Sequence, residues 1–332
     1  MKIAIQPTPG GFSDRWIEYC KEQNIPYKIV NAYASDIIQQ VEDCDAFMWH
    51  HRHDKYQDLL FAKQLLASLQ QAGKKVFPDI PTGWHFDDKV GQKYLLESIG
   101  APLVPSYVFF TKQDALKWVE STEFPKVFKL RGGAGAANVC LVKSRRQARA
   151  FIRKAFGRGW GNNRWKMFLD ELKRYRQGHS STHALWLRFG NLFIATQTQK
   201  MTHREKGYVY FQEFIPNNDY DLRVVVVGDK LLAEKRYWRE GDVRASGSGN
   251  FEYSKVCDDV IDISFSTAER LSLQTVAFDF IFDNGKPLIV EMSYAFGFKG
   301  LSHCPGYYTR DKMWHEEKNP DFAGWMVENI QN

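Results

Sequence analysis

The residues best able to do chemistry in this chain are spread over more than 200 positions. Asp88-Lys89 comes first, then Lys129-Leu130-Arg131-Gly132-Gly133-Ala134-Gly135, Gln212-Glu213-Phe214-Ile215, Asp221-Leu222-Arg223, Gly241-Asp242-Val243-Arg244, and Asp279 with Glu291. Glycines at 132, 133 and 135 let a backbone approach phosphate oxygens closely, with N–H groups pointing at them. Lys129 sits one turn-length before that loop, where its cation can reach an α- or β-phosphate. The loop lacks the Gly-Lys-Ser/Thr ending of a P-loop, and no helix follows it as in a dinucleotide fingerprint, so both of those readings are set aside. A flexible hairpin tip would explain the glycines alone. Lys129 is what tips the reading toward phosphate.

A second group could hold the metal that accompanies a nucleotide. Ala277 to Phe282 and Pro287 to Met292 flank Asp283-Asn284-Gly285-Lys286 and read as a hairpin. Loop parity decides whether Asp279 and Glu291 share a face. A two-residue Asn-Gly turn puts them on opposite faces, whereas a three-residue loop with Gly285 in the left-handed position puts Asp279, Glu291 and Ser293 on one. That face would offer two carboxylates and a hydroxyl to a hard cation, which favours oxygen ligands. Arg223, Arg236, Arg239 and Arg244 supply cations from the same region, and phosphoryl transfer depends on such charge neutralisation. No Ser-His-Asp or Cys-His arrangement is evident. His303-Cys304 with His315 reads as a turn rich in aromatic packing rather than a metal or thiol site.

The elements that must position these groups begin with clean alternation. Strands are expected at 3–5, 27–30, 46–49 and 75–78, with helices at 13–24, 35–42 and 55–72, Ser13 and Ser35 acting as N-caps. Alternating strands and helices imply a parallel sheet covered on both faces, which binds ligands at its carboxyl edge. His50-His51-Arg52-His53 follows the third strand at that edge. Adjacent positions point in different directions and no matching metal partner is present, so these residues read as substrate-facing donors. Pro78 to Gly83 reads as a linker. A helix at 87–98, a strand at 107–110, a helix at 112–121 and strands at 126–130 and 138–142 follow, with Ser144 capping a basic helix. Residues 157–206 look like an insertion, with a turn at 157–161, a helix around 164–176 and strands near 184–199. Beyond Gly207 the pattern is strand-rich, with turns at Gly228-Asp229 and Asn284-Gly285. The expected units are 1–83, 84–206 and 207–332.

Composition sets the frame. The 332 residues, 44% of them hydrophobic, suffice for two or three cored domains. No apolar run is long enough to span a bilayer, no signal-peptide pattern opens the chain, and five scattered cysteines read as reduced thiols, so a cytoplasmic protein is expected. The net charge of +6 is uneven. Residues 143–176 carry twelve Lys/Arg against Asp170 and Glu171, a local +10, which leaves −4 elsewhere. The stretch is either a solvated helical face or a docking surface for a polyanion.

Order and spacing together resemble the ATP-grasp superfamily of carboxylate–amine ligases over about residues 84–296. The group includes D-alanine–D-alanine ligase, glutathione synthetase and the ligase that adds glutamate to a ribosomal protein. The resemblance implies an α/β and α+β chain: two α+β subdomains enclosing ATP, preceded by a parallel, Rossmann-like N-terminal domain. It implies that Lys89 and Lys129 contact the ATP phosphates, with Lys93 as a substitute for the first. Glu213 and Phe214 would form an adenine hinge, Asp221 would meet the ribose, and Arg223 the phosphate side. Asp279 and Glu291 would hold one or two Mg²⁺, with Mn²⁺ an alternative, and Arg244 would stabilise a tetrahedral oxyanion. Ser293 stands where the family commonly has Asn, and Arg244-Ala245-Ser246 where it often has Arg-Ser-Asn, which bears on the second metal. The activity implied is ATP-dependent activation of a carboxylate as an acyl phosphate and its joining to an amine. The carboxylate would come from a small molecule, a peptide or an acidic polymer such as a surface polysaccharide. The alternative is a nucleotide-binding regulatory or docking protein with little turnover. Nucleic acid is not the expected partner, and a homo-oligomer is compatible with the pattern.

Overall fold

A computed structural model describes residues 1–132, 139–161, 168–169, 171–172, 175–176, 180–193, 204–237 and 250–332. The chain opens with β1 (Ile3–Gln6), α1 (Phe12–Glu22), β2 (Tyr27–Ile29), α2 (Ile37–Gln40), β3 (Ala46–Trp49), α3 (Tyr56–Gln71) and β4 (Lys75–Phe77). These strands pair in parallel in the order β2-β1-β3-β4. Alternation explains the cover on both faces. Ile3, Ile5, Ala46 and Met48 pack with Phe12 and Trp16 of α1, while Ala4, Phe47 and Trp49 pack with Ala62, Leu66 and Leu69 of α3. Ser13 is not a cap. It lies inside α1, exchanging hydrogen bonds with the backbone of Thr8. Ser35 is not one either, since α2 is entered through Asp36.

The expected Pro/Gly linker is instead a short helix, α4 (Ile80–Gly83), because the Asp79 carboxylate accepts from the Thr82 N–H and caps it. There follow α5 (Lys89–Ser98), β5 (Ser106–Phe109), α6 (Lys112–Ser121), β6 (Lys126–Lys129), β7 (Val139–Val142), α7 (Arg145–Ala155), α8 (Thr182–Phe193) and β8 (Val209–Glu213). Ser144 caps α7 as expected. The strands expected near 184–199 are corrected to α8 as far as Phe193, and 194–199 lie outside the described residues. The Ala184 N–H bonds the Ser181 hydroxyl, an N-cap contact that an alternating strand could not use. The helix expected around 164–176 falls mostly outside the described residues. The second sheet runs β5-β8-β6-β7 and is antiparallel. Strand β8 therefore pairs with strands from 106–142, although a division at 206/207 would assign it to the unit that follows.

The third sheet is built from β9 (Tyr220–Val227), β10 (Lys230–Tyr237), β11 (Phe251–Glu252), β12 (Thr275–Asp283), β13 (Lys286–Ser293), β14 (Gly306–Thr309) and β15 (Trp314–Glu316), with α9 (Asp258–Arg270) and the terminal α10 (Phe322–Gln331). Its order is β13-β12-β9-β10-β14-β15, with β11 on β10. One face carries Leu222, Val224, Val226, Phe278, Phe280, Ile289 and Met292 onto Val260, Ile261 and Phe265 of α9. The other buries Val225, Val227, Leu232 and Ala277 against the parallel layer and α10. Further along the same strands, that second face changes from apolar to charged.

Registers place the charged groups. Glu234 lies opposite Arg223, Arg223 opposite Asp279, and Asp279 opposite Glu291, so one row crosses β10, β9, β12 and β13. At sheet spacing such a row spans about 14 Å. The turn at Asn284-Gly285 has two residues, with φ of 48° and 81° and Asp283 paired to Lys286. The three-residue loop is thus overturned, yet Asp279 and Glu291 still share a face. A β-bulge does this: Phe280 pairs with Ile289 and Asp279 with Glu291, which leaves Val290 as the extra residue.

Two turn glycines test how these strands are held. Gly285 has φ +81° with open space around it, whereas a Cβ at Gly228 (φ +60°) would lie 2.7 Å from Asn329 Nδ2 on α10. Gly285→Ala is expected to cost about 1–2 kcal/mol of left-handed strain, and Gly228→Ala more. Equal costs in urea unfolding would show that the Asn329 contact yields freely.

Candidate active site

The charged face of the large sheet forms one wall of a 680 Å³ cavity. The opposite walls come from the residues after β3 (His50 to His53), from Phe86 to Gln92 at the start of α5, and from Ala295 to Gly300. The cavity thus lies at the carboxyl edge of the parallel sheet, where an α/β layer binds ligands.

At its centre Arg223 grips Asp279, Nε to Oδ1 at 2.9 Å and Nη2 to Oδ2 at 3.0 Å. Arg236 joins from the next strand, with Nη2 2.8 Å from Asp279 Oδ2, and it also holds Asp221 at 2.6 and 2.7 Å. Burial by itself would raise the Asp279 carboxyl. The fields of Arg223 and Arg236 override that and hold it well below the usual carboxylate range. Asp221 fares differently. Burial and the nearby Asp279 push it up to about 6 in spite of Arg236.

Lys89 and Lys129 come from separate elements and meet the acids here. Asp88 caps α5 by accepting from the Gly91 N–H, which sets Lys89 in the first turn with Nζ 3.7 Å from Glu291 Oε2. Lys129 ends β6 and is 5% exposed. Desolvation pulls it down to about 8, against the raising field of Glu291, with Lys89 lowering it further and Asp279 raising it. It stays cationic at neutral pH. The Lys89 N–H bonds the Arg131 carbonyl at 3.0 Å, so the start of α5 is tied to the chain leaving β6. A Cβ at Gly132 would sit 3.1 Å from Asp87 Oδ2, and the glycine permits that approach.

The bulged strand is fastened to the second sheet. The Val290 carbonyl accepts from Gln212 Nε2 of β8 at 3.3 Å, and the Met292 N–H donates to Gln92 Oε1 of α5 at 3.3 Å. Ile289 exchanges backbone bonds with Pro102 and Val104 at 2.8 and 2.9 Å. These groups cover the outer edge of β13. Gln212 belongs to the Gln212-Glu213-Phe214-Ile215 piece that sequence marked, whereas Gln92 was not singled out and nothing in its local pattern marks it.

Among the other expected site residues, Lys93 is turned away to Glu97 at 2.5 Å. Glu213 binds Lys126 at 2.7 Å and accepts from the Tyr107 hydroxyl, and Phe214 follows the strand end. Ser293 lines the cavity with its hydroxyl donating to the Ala295 carbonyl at 2.6 Å. Gly133, Gly135 and Arg244 lie outside the described residues. His50 and His51, expected as substrate-facing donors, lie in the cavity wall but are almost wholly buried. They are 8% and 1% exposed, burial pushes each down to about 3, and His50 Nδ1 accepts from the Phe12 N–H at 2.9 Å. Glu234, which sequence reading missed, is 2% exposed in the cavity wall.

A divalent cation fits some of this donor set. Glu291 and the Ser293 oxygen open on the cavity, whereas the Asp279 carboxylate already accepts three N–H groups from two guanidinium ions. Among the described residues, no cluster of three His, Cys, Asp or Glu could hold a metal unaided. Nor, among them, is any helix long and apolar enough to cross a membrane.

Residues 189–314 match the RimK-like ATP-grasp domain. A probable alpha-L-glutamate ligase 1 of Shewanella sp. (strain MR-4) is 32% identical over 107 residues, 30% of this chain and 35% of that protein. The chain thus spans about a third of the length of this relative. The crystal structure of a RimK domain ATP-grasp protein from Sphaerobacter thermophilus aligns over 100% of both chains, at 16% identity and a TM-score of 0.63. That of D-alanine–D-alanine ligase from Bacillus anthracis, complexed with ATP, aligns over 99% of this chain and 95% of that one, at 12% identity and a TM-score of 0.57. The chain therefore has the ATP-grasp fold and carries a RimK-like ATP-grasp domain over residues 189–314.

Proposed function

We propose that this cavity binds ATP with a divalent cation and that the protein is a ligase. It would activate a carboxylate as an acyl phosphate and join it to an amine, releasing ADP and phosphate. One observation carries the reading: Lys89 and Lys129, from separate elements, converge on the carboxylates of Glu291 and Asp279 beside a cavity large enough for a nucleotide. A carboxylate is a poor electrophile until one oxygen becomes a good leaving group, and phosphorylation by ATP achieves that. Phosphoryl transfer needs chiefly positioning and charge neutralisation, which is what paired lysines and arginines around a polar cavity supply.

In this reading Lys89 and Lys129 hold the phosphates, with Gly132, Gly133 and Gly135 as the further phosphate contacts. Glu213 and Phe214 form the adenine hinge and Asp221 meets the ribose. Glu291 and Ser293, with Asp279, would hold the cation, Mg²⁺ or Mn²⁺. When bound there, the cation would neutralise charge on the phosphates. Arg223 guards Asp279 until a phosphate competes for its guanidinium, and Arg244 serves the developing oxyanion. The chain would work as three units, 1–83, 84–206 with β8 added, and the remainder. The glutamate ligase named among the relatives supports an amino acid or an acidic peptide as one substrate.

The occupation of Asp279 by two arginines favours a second reading, a nucleotide-dependent docking protein with little turnover. ADP release on adding pools of carboxylates and amines separates the two.

Calorimetry with AMP-PNP and Mg²⁺ tests the pocket. Lys129→Met is expected to weaken binding at least tenfold and Glu291→Ala to remove its Mg²⁺ dependence. Absence of binding by the folded natural chain would end the proposal. The pH dependence is a separate check. With Lys129 titrating at about 8, AMP-PNP affinity should fall as pH rises through 8. Between about 8 and its ordinary 10.5, binding should take up a proton, because phosphate restores the charged lysine. In Lys129→Arg the fall through pH 8 should vanish. An unchanged profile would mean that Lys129 does not face the phosphates.

A further inference from the structure

Glu234 is a buried carboxylate that the reading above does not use. It stands at the β10 end of the charged row, 2% exposed, and its Oε2 has no hydrogen-bond partner among the described residues. Its cross-strand neighbour Arg223 would be the natural partner, but the Arg223 fork is committed to Asp279 through Nε and Nη2. Arg236, two residues along the same strand, is committed to Asp221 and Asp279. The hydrogen bonds that both guanidinium groups make therefore go to aspartates, and Glu234 receives only their field.

The surroundings of that oxygen are specific. A Cβ at Gly300 would collide with Oε2, so glycine is what lets the 297–300 segment close against the carboxylate. The Phe251 ring borders the same point, and Tyr253 fixes it by donating to the Gly300 carbonyl at 2.6 Å. Glu234, Phe251 and Gly300 all line the cavity. A desolvated, unpartnered carboxylate costs free energy unless a cation reaches it. A carboxylate beside an aromatic ring, in a polar cavity, is the chemistry that receives an ammonium group. Burial, opposed by Arg223 and Arg236, pushes the Glu234 carboxyl up to about 7, as expected of a group that waits for its counter-ion.

We propose that Glu234 binds the primary amine of the second substrate as its ammonium form, at the end of the cavity formed by Phe251 and Gly300, and that its carboxylate takes the proton the nitrogen must lose before it attacks. The inference rests on the ligase reading and adds to it which wall of the cavity the amine occupies.

The test is calorimetric titration of the full chain, with and without AMP-PNP and Mg²⁺. The probes are primary amines (L- and D-amino acids and putrescine), each beside its N-acetyl form. At least one amine should bind the natural chain and its N-acetyl form should not. Glu234→Gln should weaken that amine at least tenfold and Glu234→Asp less, while AMP-PNP affinity stays within twofold in both. Glu234→Gln should also melt no lower than the natural chain at pH 8, because it removes an unpaired charge, whereas a structural glutamate would lower the melting temperature. An amine bound equally well by Glu234→Gln, or no amine bound by a chain that binds AMP-PNP, overturns the proposal. Failure to bind AMP-PNP, with amine binding intact and sensitive to Glu234, would instead refute the ligase reading and leave Glu234 an ammonium-binding residue with no nucleophile role.

Discussion

The bidentate pair between Arg223 and Asp279 is the contact on which the rest of the site depends. It lies near the middle of the large sheet, mostly out of water, where either charge alone would be unfavourable. Removing one partner from such a pair typically costs about 3–5 kcal/mol, because the other is left buried and uncompensated. Arg236 shares the load, bridging Asp279 to Asp221 and so joining two adjacent rows of the sheet. The aspartates absorb both guanidinium groups. Glu234 and Glu291, at the two ends of the row, are left to face the cavity.

Strand parity gives this network its place. Leu232, Val225 and Ala277 point the same way as Glu234, Arg223 and Asp279, one step back along their strands. A single sheet face therefore serves as core against the parallel layer and then as the charged floor of the cavity. The changeover needs no change of backbone, only a change from aliphatic to charged residues at alternate positions. Lys89 and Lys129 cannot come from that face. They arrive from α5 and the second sheet, which are fastened to the edge of β13 by Gln92, Gln212 and the backbone of Pro102 and Val104.

Much of this could be read from the chain alone. The parallel layer was legible because Ile3-Ala4-Ile5 and Ala46-Phe47-Met48-Trp49 are short apolar runs separated by longer, helix-patterned segments, even though the caps expected at Ser13 and Ser35 are absent. The meeting of Lys129 with the acids was foreseeable because glycines, a lysine and a hairpin mark themselves. The route to a shared face for Asp279 and Glu291 was not. The turn at Asn284-Gly285 is the two-residue kind its sequence suggests, and the correction lies five residues later. There Val290, one of three consecutive aliphatics, takes the bulge without glycine or proline to announce it. Glu234 was hidden by Glu234-Lys235-Arg236, where three adjacent charges conceal which face is buried. The burial of His50 and His51 could not be read because imidazole serves equally well as a donor in a site and as a neutral core group. Only burial separates the two.

The clasp along β13 also governs how the two sheets can move relative to each other. In a tilt about a fixed line, displacement grows with distance from that line. The clasp runs through Ile289 and Val290, one residue from Glu291, and engages the second sheet at β8 and just ahead of β5. Strand β7 lies two strand spacings beyond β8, about 10 Å further out, and Lys129 on β6 lies between them. Such a swing would carry β7 furthest and Lys129 a shorter way, while Glu291 scarcely shifts. In such a swing Glu291 would be the pivot and Lys129 the moving arm, so the distance between them would change while the row from Glu234 to Asp279 kept its geometry.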